Sequence, residues 1–111
     1  MTAPVPITFL AAGEDMHPDD AELVDGRLMR RHLAPGTSQW STGLNGRIAA
    51  LMFVCPCGCG SVSAVTVREG YGDKHWSWNG DQEKPTLTPS ILKTSPCRWH
   101  GYLTDGFFVP C

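Results

Sequence analysis

The residues best suited to chemistry lie in two short stretches. Cys55-Pro56-Cys57-Gly58-Cys59-Gly60 places three thiols within five residues, and Cys97-Arg98-Trp99-His100 supplies a further thiol and an imidazole. Two short turns that each offer two donors can enclose one tetrahedral zinc ion, and glycine beside a ligand lets the backbone curl so that its N–H groups face the thiolate. Pro56 stiffens the start of the first turn. The pattern predicts one structural Zn2+ with ligands drawn from Cys55, Cys57, Cys59, Cys97 and His100. The first three thiols stand only two or four positions apart, not in a C-x-x-C knuckle, which leaves open which of them bind; Cys97 and His100 form the firmer pair. Cys111, the last residue, either replaces one of that pair or sits free, and His75 beside Trp76 is a lesser candidate.

Other uses of these residues fit less well. Cysteines at alternate positions cannot all reach disulfide partners at proper Cα spacing, and five is an odd number. Thiols crowded among Gly and Pro belong to a turn, not to a core. A catalytic zinc keeps a water and a nearby carboxylate, but His100 is followed by Gly101, no H-E-x-x-H occurs, and a thiolate-rich site is closed and a poor Lewis acid. Cys97 with His100 is the one compact thiol–imidazole pair for a zinc- or thiol-dependent hydrolase, and metal binding explains it better. G-x-S-x-G, P-loop and G-x-G-x-x-G motifs are missing. No catalytic residue is assigned, and the balance falls toward a non-enzyme.

These stretches need short elements to position them. Twelve Gly and nine Pro in 111 residues favour turns over long helices. Arg47 to Cys55 and Ser61 to Glu69 predict two strands paired as a hairpin across the cysteine turn. Tyr102 to Val109 carries Asp105-Gly106 between apolar residues, a second hairpin signature, and Asn79-Gly80 marks a turn after an extended Trp76-Ser77-Trp78. Thr86 to Ile91 alternates, but Pro85 and Pro89 confine it to an edge strand or an extended segment. Further upstream, residues 5 to 12 predict a short strand, Pro18 followed by Asp19 to Leu33 a short helix despite Gly26, and Thr37 to Gly46 a loop carrying Trp40. The expected whole is one domain, 1–111. Its zinc-binding β core spans 47–111, after a variable strand, short helix and loop over 1–46.

Bulk properties exclude several functions. Hydrophobic residues at 41% and charged residues at 18% describe a globular chain. A net charge of −2 makes nucleic acid an unlikely partner, although a zinc ribbon with a face of Arg27, Arg30, Arg31 and Arg47 is the way such binding would be built. Six acids between residues 14 and 25 precede those arginines; such blocks are usually solvated faces or mutual partners, and the acidic one could instead mimic phosphate. The longest apolar run, Ile48 to Val54, is far short of the ~20 residues of a membrane span. The N-terminus has no basic residue before its apolar part and carries Pro4 and Pro6, which predicts a cytoplasmic protein without a secretory signal.

The cysteine stretch, Trp76-Ser77-Trp78-Asn79-Gly80-Asp81, Pro85-Thr86-Leu87-Thr88-Pro89-Ser90-Ile91, and Cys97 with His100 running into Gly101 to Gly106 form an ordered series. It resembles a family of small phage and prophage proteins of unknown function, often mislabelled ammonia monooxygenase. The resemblance covers residues 47 to 111. It implies a zinc-binding β protein, with Cys55 and Cys59 as counterparts of a C-P-G-C turn and Cys57 extra, and some relatives stand beside bacterial ubiquitin-like conjugation genes in defence operons. It names no reaction.

Trp76, Trp78, Thr86 and Ser90 are the next candidates, either as core or as an exposed platform for a partner. The expectation is a mostly β, zinc-ribbon-like domain of antiparallel hairpins, with a small α+β fold as the variant. It would act as a phage accessory protein in the host cytoplasm, binding a host or phage protein and countering host defence. No membrane takes part, and the oligomeric state is left open.

Overall fold

The computed structural model describes residues 3–68, 75–93 and 97–111. Among them there is no helix; the elements are eleven strands: β1 (Val5–Pro6), β2 (Thr8–Phe9), β3 (Glu22–Val24), β4 (Arg27–Met29), β5 (Thr37–Thr42), β6 (Ile48–Val54), β7 (Val62–Thr66), β8 (Ser77–Trp78), β9 (Leu87–Leu92), β10 (His100–Thr104) and β11 (Phe107–Pro110). One sheet runs β1-β11-β10-β9-β8, a second runs β2-β5-β6-β7, and β3-β4 forms a ribbon. All pairings are antiparallel except β2 with β5.

The two larger sheets share one core. Strand alternation sends Leu51 and Phe53 of β6 and Val65 of β7 inward from one side. From the other come Leu87 and Ile91 of β9, Leu103 of β10 and Phe108 of β11. Phe53 meets Phe108 at 5.1 Å between ring centroids, and Trp99 stands edge-on to Phe108 at 6.1 Å. Pairs of this kind add about 1 kcal/mol each beyond the area they bury.

The expected hairpins around the cysteine turn and Asp105-Gly106 are present as β6-β7 and β10-β11. β7 ends at Thr66, and Glu69, where that run was expected to end, lies outside the described residues. Three upstream expectations are corrected. Residues 19–33 hold the ribbon β3-β4 in place of a helix, because Asp25 (φ 52°) and Gly26 (φ 78°) take the left-handed pair of a type I′ turn. The loop carrying Trp40 is largely strand β5, hydrogen-bonded between β2 and β6. The strand expected over residues 5 to 12 splits at Ile7, whose N–H bonds Gly106 O at 2.8 Å, so that β1 and β2 join different sheets.

A fourth correction concerns β9, which lies inside its sheet and not at the edge. Leu87 pairs with Leu103 and Ile91 with Gly101, so Thr88, Pro89 and Ser90 together face Tyr102. Pro89 sits in this bulge, where no ladder donor is required of it. On the other side β8 reaches only Leu87 and Thr88, and no other strand among the described residues pairs with the backbone beyond them there. Among the described residues, no helix is long and apolar enough to cross a membrane.

Candidate functional site

The cysteine turn begins where β6 ends. Cys55 N–H bonds Ser61 O at 2.8 Å and Gly58 N–H bonds Cys55 O at 3.1 Å, which closes the knuckle; Gly58 and Gly60 take φ of 92° and 86°, values that an L side chain resists. The turn meets Cys97, in the connection between β9 and β10, whose ends are joined by Lys93 N–H to Trp99 O at 2.8 Å. The sulfurs of Cys55, Cys57, Cys59 and Cys97 all lie within 4.8 Å of one another and could hold a metal ion. Cys55 Sγ is 3.2 Å from Cys57 Sγ and 3.3 Å from Cys97 Sγ, and all five cysteines are free thiols.

The electrostatics of the four thiols are uneven. Burial pushes Cys55 far above the usual thiol range and raises Cys57 as well. Burial opposes ionisation of Cys59 too, but hydrogen bonds from the Ser61 hydroxyl and backbone, and from neighbouring thiols, outweigh it and lower Cys59 to about 6. Ser61 Oγ lies 3.1 Å from Cys59 Sγ and 2.6 Å from Lys93 Nζ. Both Ser61 (2% exposed) and Lys93 (7%) are buried.

His100, expected among the metal ligands, does not join the four-sulfur group. Gly101 and Leu103 are buried on β10, so alternation turns His100 to the outer face of the sheet. There its Nε2 lies 3.0 Å from Ser90 Oγ. Register explains the meeting: His100 is directly opposite Leu92, and Ser90, two residues earlier, points to the same side. Trp76 Nε1–H donates to Ser90 O at 3.3 Å and holds the serine backbone on the side that β8 does not cover. The outer face beside the pair is apolar and open, with Leu92 63% and Tyr102 43% exposed, and Phe107, at 45%, lies further along it opposite Thr104. Gly101 allows the close packing beneath it: a Cβ there would stand 2.3 Å from Val109 O and 2.7 Å from the Trp99 ring.

The remaining expected residues lie elsewhere in the fold. Trp78 stacks on Trp40 at 4.7 Å and donates its indole N–H to Asp81 O at 3.0 Å. Thr86 Oγ1 accepts Asp105 N–H at 2.8 Å, tying the 79–86 loop to the β10-β11 turn. His75 is exposed and outside the sulfur group. So is Cys111, whose backbone N–H bonds His100 O at 2.9 Å. The charge blocks partly meet each other: Arg31 pairs with Glu22 at 3.1 Å, and Arg30 donates to Asp15 O and Met16 O. A concavity of about 600 Å³ lies against this ribbon, lined by Glu14, Asp20, Arg30, Arg31 and His32 among others, and shares no residue with the thiols or the Ser90–His100 pair.

Sequence reasoning missed Ser61, Lys93 and the pairing of Ser90 with His100. Parity was the available signal for Lys93, because it falls on the inward register of Leu87 and Ile91. The serine–histidine meeting depends on the pairing register of β9 with β10, which pattern alone does not reveal.

No match was found among curated proteins or solved structures. Residues 26–111 match the model of a family described as bacterial ubiquitination-like system serine protease (BubE). The match overturns the expectation of a phage accessory protein that acts by binding a partner, since the family is one of proteases. It begins upstream of the resemblance read from residues 47 to 111 and takes in β4 and β5. The chain belongs to the BubE family of bacterial ubiquitination-like system serine proteases.

Proposed function

We propose that the protein is a serine peptidase in which Ser90 is the nucleophile and His100 the general base, with one structural zinc ion holding the connection between them. The observation that carries the reading is the 3.0 Å contact of Ser90 Oγ with His100 Nε2 on an accessible sheet face. A base within hydrogen-bond reach of a hydroxyl is the arrangement that activates serine. With Nδ1 protonated, Nε2 accepts the Ser90 proton as Oγ attacks the scissile carbonyl. The proton passes from Nε2 to the leaving amine as the C–N bond breaks, leaving an acyl group on Ser90. Nε2 then takes a proton from water as its oxygen attacks the ester, and returns that proton to Ser90 Oγ as the acyl–oxygen bond breaks, releasing the acid and the free serine. The family description supports a polypeptide of a ubiquitination-like system as substrate. The apolar surroundings of Leu92, Tyr102 and Phe107 suit an extended chain that carries large apolar side chains.

Ser61 with Lys93 is a second serine–base pair, and at 2.6 Å a shorter one. Both members are buried, which closes them to a polypeptide. Four thiols within 4.8 Å fit zinc, whose tetrahedral Zn–S bonds of about 2.3 Å set sulfurs about 3.8 Å apart. A tetrathiolate ion has no open position, so the chemistry it supplies is stability. Cys55, Cys57, Cys59 and Cys97 would hold it, and Cys97 ties down the connection whose two ends carry Ser90 and His100. Five free thiols suit a reducing cytoplasm.

The test is labelling with a fluorophosphonate, followed by peptide mapping. The expected result is one adduct on Ser90, lost in H100A while Ser61 stays unmodified. An adduct on Ser61, or labelling of Ser90 that is indifferent to H100A, would overturn the assignment.

A further inference from the structure

Among the described residues, Lys93 is a buried lysine without a carboxylate partner. Its side chain is among the most enclosed polar groups of the described residues, at 7% exposed. The ion pair found among those residues is Arg31 with Glu22, and no carboxylate of the described residues lies within ion-pair distance of Lys93. Its hydrogen-bond partner is the Ser61 hydroxyl, at 2.6 Å. One neutral hydroxyl does not compensate a desolvated ammonium, and an uncompensated buried charge is strongly destabilising.

The missing negative charge lies one atom further on. A hydroxyl has one proton to give and two lone pairs to receive with. Ser61 Oγ can accept from Lys93 Nζ and donate to Cys59 Sγ, 3.1 Å away. Four thiolates around a divalent cation carry a net charge of −2, and such a site needs nearby positive charge when it is partly withdrawn from water.

We infer that Lys93 is the counter-charge of the metal–thiolate centre, relayed to Cys59 through Ser61, so that this chain is built for four thiolates and not for a site of lower charge. The inference rests on the proposal that the thiols hold a metal, and it explains why a lysine occupies the inward register of β9 just before the connection that bears Cys97. Lys93 is a positioning residue. It reaches the metal through other side chains, and it locks the end of the strand that carries Ser90 onto the cysteine turn.

The experiment measures how fast zinc leaves the purified full chain to an excess of chelator, followed by a colorimetric indicator. Wild type is compared with K93M, K93R, C59H and the C59H/K93M double variant. K93M should lose zinc about 10- to 100-fold faster, the usual scale for removing an outer partner of a metal ligand, and K93R should stay near wild type. C59H lowers the charge of the site by one, so in its presence K93M should cost much less. That rescue separates a charge role from packing. Equal loss in K93M and K93R, or no rescue by C59H, would overturn the inference while leaving the metal reading intact. A wild-type chain that holds no zinc would overturn both. A further reading on loaded wild type needs no folded variant: a ¹⁵N-edited spectrum should show Lys93 as a slowly exchanging ammonium, and a neutral amine would overturn the relay.

Discussion

The described residues include two serine–base pairs that differ in every respect except their chemistry in outline. Ser61 with Lys93 is the shorter, at 2.6 Å against 3.0 Å for Ser90 with His100. It is also enclosed, and its serine has a second partner in Cys59. The other pair stands on an open sheet face among apolar side chains. Hydrogen-bond length therefore does not identify a nucleophile. What separates the pairs is access and the identity of the next atom in the chain of contacts: a thiolate-forming sulfur in one case, the space that a substrate would fill in the other.

The sharpest way to break this comparison is to remove one serine at a time. S90A and H100A should each lower peptide turnover on the order of 10⁴-fold, as removing a nucleophile or its base does. Both should keep zinc at the wild-type level, because neither side chain belongs to the sulfur group. S61A should do the reverse, retaining turnover within about tenfold while releasing metal faster, on the scale expected of an outer partner. Turnover assays and metal content on the same preparations decide the matter. Loss of zinc in H100A would return the histidine to the metal site.

Next in size is the metal itself. Structural zinc sites in small domains contribute roughly 10 kcal/mol of apparent binding free energy. Even a few kcal/mol retained as folding stability is on the order of 15 °C in melting temperature for a chain of this length. Chelation or C97S should lower the melting temperature by that amount and reduce turnover with it. The dependence on pH has a definite sign. Cys55 and Cys57 are held above the ordinary thiol value, so at neutral pH both must release a proton to bind metal. Affinity should then rise with pH, by on the order of a hundredfold per unit or more. Below about 6 the proton that returns to Cys59 must also be displaced, and the slope should steepen there. A competition titration from pH 5.5 to 8 would expose a flat profile, which would contradict the thiolate reading.

The same contrast explains what was legible in the sequence. The thiol centre is local: its turn is written into consecutive residues, Cys55 to Gly60, and Asp105-Gly106 announces its hairpin in the same way. The identical signal at Asp25-Gly26 is ambiguous in sequence because Leu23, Val24 and Leu28 also fit a helical face; tertiary pairing of Met29 with Ser61 favours the ribbon. The dyad is not local. Ser90 and His100 lie on different strands, and they meet because β9 and β10 pair in the register that sets His100 opposite Leu92. A proline that argues for an edge strand is the member of the bulge that makes an interior strand possible.

The smallest expected effect concerns the apolar face that distinguishes the accessible pair. Leu92 stands directly opposite His100, and Tyr102 is the next outward residue along β10. The proposed proton transfers run between Ser90 and His100, so truncating either should leave the chemical step intact and remove only surface that the substrate covers. Burial of part of a Leu or Tyr side chain is worth about 1 kcal/mol, which corresponds to roughly fivefold. L92S and Y102A should therefore raise KM several-fold for a substrate with large apolar residues near the scissile bond, with kcat nearly unchanged. The two should combine additively if they touch separate parts of the substrate. A fall in kcat without a change in KM would place Tyr102 in the chemistry, and no effect from either would mean that the substrate approaches from the uncovered flank of β9.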